Sequence, residues 1–167
     1  MKWLRVVIIV CVVAVLQAGL INLIAITSLD IKPDLLLILM VFFAIFTAPR
    51  QAIITSFAIG FAADLISIGM PMGPRTISFG LVGAAVAHIH GVLVIRKMSH
   101  QAIAVFLCCF VAGVLSHFLT MLTGRSVMPF VYRVIFGTAL YSSIISPFLF
   151  LPSSWLMRIK TNRFGRY

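Results

Sequence analysis

The sequence contains no glutamate, and its only acidic residues are Asp30, Asp34 and Asp64. A membrane-embedded enzyme would need a paired acid and base, and no nucleophile stands at a recognisable spacing from a base. No glycine-rich phosphate loop follows a strand. Asp64 is the one acid deep inside a predicted helix, and a single internal acid also disfavours a proton-coupled transporter. We therefore find no catalytic machinery in the sequence and predict that the protein is not an enzyme.

Cysteine is also scarce, and Cys11, Cys108 and Cys109 all lie inside apolar runs. An odd number of cysteines without C-x-x-C spacing favours neither a disulfide framework nor a zinc site. His88 and His90 lie two residues apart, about 200° around a helix, so they cannot hold one metal ion together. The sequence therefore predicts no metal site.

Hydrophobic residues make up 62% of the 167-residue chain, whereas a soluble domain holds about 45–50%. We therefore predict one domain, 1–167, which is an all-α integral membrane protein. The apolar run from Val6 to Ile26 exceeds the h-region of a signal peptide, about 7–15 residues, and is interpreted as a transmembrane helix. Six transmembrane helices are expected, at about residues 4–26, 34–47, 51–68, 76–95, 101–122 and 130–151, followed by a basic tail at 158–167.

The charges are mostly positive, with 13 lysines and arginines against 3 acids. Six spans place both termini on one side of the membrane, which then carries Lys2, Arg5, Arg50, Arg96, Lys97, Arg158, Lys160, Arg163 and Arg166. The other side carries Lys32, Arg75, Arg125 and Arg133. The positive-inside rule therefore predicts cytoplasmic termini. Because the basic residues lie at the ends of apolar runs, we expect them to meet anionic lipids and not nucleic acid.

Pro33 and Asp34 are expected to open the second helix. Proline is tolerated in a first helical turn, and an aspartate there favours the positive end of the helix dipole. The helix at 34–47 is short for a hydrocarbon core of about 30 Å. It must therefore thin the bilayer locally or be shielded by other parts of the protein.

Small residues at helical spacing indicate which helices pack together, because membrane helices associate by close approach and by interhelical hydrogen bonds. The third helix carries Ala52, Ser56, Gly60 and Asp64. The fourth carries Gly83, Ala87 and Gly91, and the fifth carries Ala104, Cys108, Ala112 and Ser116. We expect these three helices to be mutual neighbours, with Gly83 and Ala87 facing other helices.

Asp64 is the main candidate for a functional residue, since acids inside a membrane usually face a partner or a water-filled site. It lies about 13 residues into its helix, roughly 20 Å along it, toward the outer side. His117, Arg75, Arg125 and Arg133 are expected on the same side as possible partners. Two interpretations stay open: a polar site for a partner or ligand, or a structural role as an ion pair or a cap near the helix end.

The stretch from Lys32 to Gly91 resembles the rod shape-determining protein MreD family. The resemblance rests on KPDLLLILMVFFAIF (Lys32 to Phe46), GFAADLISIGMPMG (Gly60 to Gly73) and SFGLVGAAVAHIHG (Ser78 to Gly91). The family pattern is a K-P-D-hydrophobic helix, a G-x-x-x-D-hydrophobic helix with a P-x-G loop, and a glycine-rich helix. By this resemblance, the motif positions are Pro33, Asp34, Asp64, Pro71 and Gly73.

The resemblance implies an inner-membrane scaffold of the bacterial elongation machinery, for which no catalysis and no cofactor are expected. Such proteins bind the single-pass protein MreC, and together they link MreB filaments to the peptidoglycan synthase formed by RodA and a class B penicillin-binding protein. The alternative is the six-helix substrate-binding subunit of an energy-coupling-factor vitamin transporter, whose small-xxx-small motif is similar to Ala14-x-x-x-Ala18.

Overall fold

The computed structural model describes residues 3–19, 33–67, 72–89, 98–123 and 131–156. Within these residues the chain is all-helical, which confirms the predicted fold class at that level. The six helices are α1 (Trp3–Gly19), α2 (Leu35–Phe46), α3 (Pro49–Ile66), α4 (Pro74–Ile89), α5 (Met98–Leu122) and α6 (Val131–Leu156).

Three helices begin one or two residues away from their predicted starts, at positions set by proline or aspartate. Pro49 and Pro74 are the first residues of α3 and α4, so these helices begin two residues before the predicted 51 and 76. Proline fits a first position because its missing N–H would have no partner there. In α2 the helix begins at Leu35, because Asp34 is the N-cap residue. Pro33 therefore precedes the helix and is not part of it.

The helix ends also differ from the predicted ones. α2 and α3 end at Phe46 and Ile66, α5 begins at Met98, and α6 runs from Val131 to Leu156 instead of 130–151. The ends predicted at 26 and 95 lie outside the described residues. α6 continues through Pro147, whose missing N–H deprives the Ser143 carbonyl of its usual helical donor. The Ser146 hydroxyl donates to that carbonyl at 2.8 Å instead.

α2 is the central helix, and it contacts all five others. All residues from Leu36 to Ile45 are buried, and the large side chains Phe42, Phe43 and Met40 are fully buried. A helix that is apolar on every face is stable only when it is surrounded by apolar material. Here that material is protein, so α2 is shielded by its neighbours.

The tightest packing is between α3 and α4. A Cβ added to Gly60 would lie 2.8 Å from Cα of Thr76 and 2.9 Å from the Arg75 carbonyl oxygen. A Cβ added to Gly83 would lie 2.4 Å from Cβ of Ser56. These glycines therefore let the two backbones approach more closely than any larger residue would allow.

The prediction that the third, fourth and fifth helices are mutual neighbours is only partly correct. α3 packs on α4, and α4 packs on α5, but within the described residues α3 and α5 share no interface of that size. Because α2 contacts both of them, it fills the space that would otherwise bring them together. The remaining face of α5 packs on α6, where the Ser143 hydroxyl donates to the Ala102 carbonyl oxygen at 2.9 Å.

Two helical segments, Gln101–Leu122 and Tyr132–Phe150, are long and apolar enough to cross a membrane. Only 17% and 22% of their most apolar windows are buried inside the protein. A core helix of a soluble protein would be mostly buried, so these segments present apolar surface to their surroundings. Val6–Gly19 and Leu35–Phe46 are shorter apolar helices.

Candidate functional site: two aspartate junctions

Asp64 links the end of α3 to the start of α4. Its carboxylate accepts hydrogen bonds from the backbone N–H groups of Gly73 at 2.9 Å, Arg75 at 3.2 Å and Thr76 at 2.9 Å. It also accepts one from the Thr76 hydroxyl at 2.5 Å. The first N–H groups of a helix have no partner within that helix. Asp64 therefore caps α4 from the neighbouring helix.

The partners of Asp64 differ from the expected ones. Of the predicted cations, Arg75 is bonded, but through its backbone N–H. His117 is half-buried on α5, and the four hydrogen bonds described above come from residues 73–76 instead. Arg125 lies outside the described residues. Because Asp64 is only 4% exposed and both of its oxygens are used, the capping interpretation accounts for its position.

Gly73 and Gly60 shape the backbone around this carboxylate. Gly73 has a φ of +119°, a conformation that residues with a side chain rarely adopt. That conformation directs its N–H at the Asp64 carboxylate. Gly60 lies one turn before Asp64 and gives the start of α4 room to approach α3. Pro71 lies outside the described residues.

Asp34 forms a second junction, at the start of α2. Its Oδ1 accepts hydrogen bonds from the Leu37 N–H at 3.1 Å and from the side-chain amide of Gln17 at 3.2 Å. The Gln17 carbonyl oxygen in turn accepts from the Leu36 N–H at 2.9 Å. The Asp34 N–H donates to the Ser142 hydroxyl at 3.0 Å. Side chains from α1 and α6 thus supply partners to a helix start inside the bundle.

The depth of the Asp34 junction follows from its partners. Ser142 lies near the middle of α6, and Cys109, which is within hydrogen-bonding reach of Ser142, lies near the middle of α5. α2 has 12 residues, about 18 Å at 1.5 Å per residue. Its N-terminus therefore lies level with the centre of the two longest helices, and α2 extends along only part of them.

The other predicted positions belong to the packed interior. Gly83 and Ala87 are buried on α4, where Gly83 meets Ser56 of α3. In the part of the chain that the structure describes, no three His, Cys, Asp or Glu side chains cluster closely enough to hold a metal ion. The predicted positions provide close contacts between helices, as at Gly83, and hydrogen-bond acceptors for backbone N–H groups, as at Asp64.

Three polar partners were not anticipated as site residues: Gln17, Ser142 and Thr76. Gln17 had a visible signal, since it is a strongly polar side chain inside an apolar helix. Thr76 follows a loop rich in glycine and proline. Ser142 carries no local signal that points to Asp34, because the two are 108 residues apart in the chain.

The rod shape-determining protein MreD family matches residues 1–160 of this sequence. The chain belongs to that family. The match extends beyond the resembling stretch of Lys32 to Gly91 and includes α5 and α6, where no motif had been assigned. No curated protein and no solved structure matches the chain.

Membership in the MreD family gives the chain a role in determining rod shape, as a structural protein. The apolar helices are consistent with a membrane protein. Both junctions lie on the sequence patterns that carried the resemblance, because Asp34 belongs to the K-P-D helix and Asp64 precedes the P-x-G loop. In this MreD family member both patterns therefore mark helix starts that receive partners from other elements.

Proposed function

We propose that the protein is a non-catalytic scaffold of the cell-elongation machinery in the bacterial inner membrane. In this role it binds MreC and, through that complex, links MreB filaments to the peptidoglycan synthase of RodA and a class B penicillin-binding protein. The observation that carries the proposal is the family match over residues 1–160. The helix starts at Asp34 and Asp64, each bonded to other elements, support a rigid frame for binding partners, as expected of a scaffold.

The proposal includes six crossings of the membrane with both termini in the cytoplasm, of which the crossing that contains the short helix α2 is shielded by its neighbours. The nine basic residues on the side of the termini and the four on the opposite side support this orientation. In this orientation the basic tail at 158–167 faces anionic lipids. Fusion of a reporter after Tyr167 tests the orientation, because alkaline phosphatase is active only outside the cytoplasm. Phosphatase activity at that position would contradict the proposed topology.

The vitamin-carrier alternative is not supported by the family match. A carrier needs convergent polar groups that are free to bind a small molecule. Asp64, which was the main candidate for such a group, is instead occupied by four donors from residues 73–76. The burial of Asp64 and these four hydrogen bonds favour a structural function for this residue.

Depletion of the protein in rich and in minimal medium tests the scaffold role. We expect rounded cells in both media, because wall synthesis loses its connection to MreB filaments. Rod-shaped cells that require one nutrient would contradict the scaffold and favour a carrier.

Complementation with matched leucine substitutions links this phenotype to the fold. Ala87 is buried on α4, whereas Ala85 is exposed on the same helix. Ala87→Leu should therefore reduce the folded protein in the membrane and fail to restore rods. Ala85→Leu adds the same side chain on the outside and should restore them.

A further inference from the structure

The exposed side of α3 carries an apolar stripe that ends in a charged residue. Ile54, Phe57, Phe61 and Leu65 are exposed and follow one another at three- or four-residue spacing. Residues at this spacing lie on one side of a helix. Arg50 comes four residues before Ile54 and is also exposed, so it lies on the same stripe.

The neighbouring helix α4 repeats this pattern. Ile77, Leu81 and Ala85 are exposed at four-residue spacing, and His88, three residues further on, is exposed on the same stripe. The His88 Nδ1 lies 3.2 Å from the Ala84 carbonyl oxygen. A neutral imidazole has a second nitrogen that accepts a hydrogen bond, and lipid chains carry no donor for it. We call the surface formed by the two stripes the α3–α4 face.

Arg50 and His88 lie at one level across this face. The two helices run antiparallel, and a Cβ added to Gly83 would lie 2.4 Å from Cβ of Ser56. From this contact, His88 is about 8 Å further along α4, and Arg50 is about 9 Å back along α3. Two exposed polar side chains therefore mark the same end of the α3–α4 face.

The Asp64 junction sets the opposite end of the face. The Arg75 N–H donates to the Asp64 carboxylate, so this arginine lies where α3 ends and α4 begins. At 1.5 Å per residue, Arg75 and His88 are about 20 Å apart along α4, and Arg50 and Asp64 are about 21 Å apart along α3. Both helices thus give the same short distance between their polar ends.

The exposed surface of α5 is longer. From Ile103 to Leu122 every exposed side chain of this helix is apolar. This stretch measures about 29 Å, which matches a hydrocarbon core of about 30 Å. On α3 the exposed apolar side chains extend only from Ile54 to Leu65, about 17 Å.

A bilayer of uniform thickness cannot fit both surfaces. Ionisable side chains are costly inside hydrocarbon. An apolar stretch that is too short is accommodated when the bilayer thins or when flanking side chains reach out to the interface. Arg50 can reach outward on its long stem. Histidine has a short side chain, so the interface must approach His88.

From these observations we propose that the α3–α4 face binds a locally thinned lipid bilayer, with about 20 Å of hydrocarbon between its polar ends. α5 is then surrounded by bilayer of ordinary thickness, and the protein lies where the membrane changes thickness. The proposal rests on the proposed function only in that α3 and α4 both cross the membrane.

Tryptophan fluorescence of the reconstituted full-length chain tests this difference. The two native tryptophans, Trp3 and Trp155, are replaced by phenylalanine. A single tryptophan then replaces Phe61 on α3 or, as the matched control, Phe118 on α5, which are 54% and 56% exposed. The vesicles mix dimyristoleoyl- and dioleoyl-phosphatidylcholine, and one of the two lipids is brominated. Quenching by bromine then reports which chain length lies against each tryptophan.

We expect the preference for the short-chain lipid to be at least about twofold greater at position 61 than at position 118, since each Å of mismatch has a cost. Equal preferences would overturn the thinning. Position 61 without quenching by either lipid would mean that protein covers this face, and that result would also overturn the proposal. Phe57→Trp and Phe110→Trp, both at exposed positions, repeat the comparison if either first variant fails to fold.

The variant His88→Leu tests the assigned position of the interface. It extends the apolar stripe of α4, so the short-chain preference at position 61 should fall toward that at position 118. Thr123→Leu is the control, because Thr123 is exposed at the end of α5, and it should leave the preference at position 61 unchanged. An unchanged preference in His88→Leu would overturn the interface at this level.

Co-purification of MreC separates this proposal from the scaffold role. If MreC co-purifies with the wild-type chain but positions 61 and 118 show equal lipid preferences, the scaffold role stands and the thinning fails. If MreC does not co-purify but the two positions differ as expected, the scaffold role fails and the thinning stands.

Discussion

Asp34 and Asp64 both lie where a helix begins, but they receive their hydrogen bonds from different distances. Asp64 binds donors at residues 73–76, within one α3–loop–α4 unit. Asp34 binds Gln17 of α1 and, through its backbone N–H, Ser142 of α6. Asp64 accepts through both carboxylate oxygens, whereas the bonds of the Asp34 carboxylate to Gln17 and Leu37 both end on Oδ1. The Asp64 junction therefore closes a local unit, whereas the Asp34 junction joins helices that are distant in the sequence.

This difference teaches that an acid inside an apolar chain can close one local unit or join distant helices, according to where its hydrogen-bond partners lie in the sequence. A carboxylate has two oxygens and room for several donors. When the backbone fills both oxygens, replacing the acid should mainly affect folding. When the partners come from distant helices, replacing the acid should mainly affect how those helices pack together.

The largest effect is expected from Asp64→Ala, which leaves three backbone N–H groups and the Thr76 hydroxyl without their acceptor. Leaving such groups unpaired in the interior should lower the free energy of unfolding by about 3–5 kcal/mol. Asp34→Ala should cost less, about 1–2 kcal/mol, because it removes one cap and one side-chain bond. Unfolding in mixed micelles measures both. Equal losses would remove the distinction between the junctions, and Asp64→Asn should fall between the alanine variant and wild type.

The next effect concerns the close contact that brings α4 to Asp64. Gly60→Ala places a methyl group 2.8 Å from Cα of Thr76, so the backbone of α4 must move. Overpacking of this kind costs about 1–3 kcal/mol. The control is Gly19→Ala, since nothing lies within 4 Å of an added Cβ there. Thermal unfolding in detergent should show a lower midpoint for Gly60→Ala and little change for Gly19→Ala.

A smaller effect is expected at Gly73, where the cost is conformational. An added Cβ meets nothing within 4 Å, but the φ of +119° is unfavourable for alanine. Gly73→Ala should therefore cost about 1–2 kcal/mol through backbone strain alone. The same unfolding assay applies. Gly73→Asn should lose less stability than Gly73→Ala, because asparagine tolerates positive φ better than alanine does. Equal losses in the two variants would show that backbone strain is not the cause.

The smallest effect should come from Ser142→Ala at the long-range junction. This change removes one acceptor for the Asp34 N–H. Interhelical hydrogen bonds in membrane proteins average about 0.6 kcal/mol, so only a slight decrease in stability is expected. Ser146→Ala, one turn further along α6, is the comparison, because it removes a bond within α6 and not between helices. A loss above that of Asp34→Ala would make Ser142 the main element of the junction.

Much of the fold could be predicted from the sequence because apolar runs and turn residues are local signals. The starts predicted at 51 and 76 lie within two residues of the observed starts of α3 and α4, at Pro49 and Pro74. The central position of α2 was less accessible. Its apolar sequence is equally suited to burial by lipid or by protein, and the short helix predicted at 34–47 indicated only that the bilayer thins locally or that protein shields it.

The candidate site was only partly predictable, for a physical reason. Asp64 was identified because charged residues are rare inside apolar helices, and Asp34 because it stands beside Pro33 at a helix start. The donors to Asp64 are mainly backbone N–H groups, and every residue except proline carries one, so the sequence does not distinguish them. The pairing of Asp34 with Ser142 depends on the three-dimensional order of helices, which local periodicity does not specify.

The long separation within the Asp34 junction has a consequence for biosynthesis. α2 leaves the ribosome long before α6, yet its first N–H groups bond to residues on both α1 and α6. Contacts between residues 108 positions apart form late, after the intervening chain has been ordered. The N-terminal end of the newly made α2 therefore stays incompletely bonded until α6 has been synthesised. The core is complete only then.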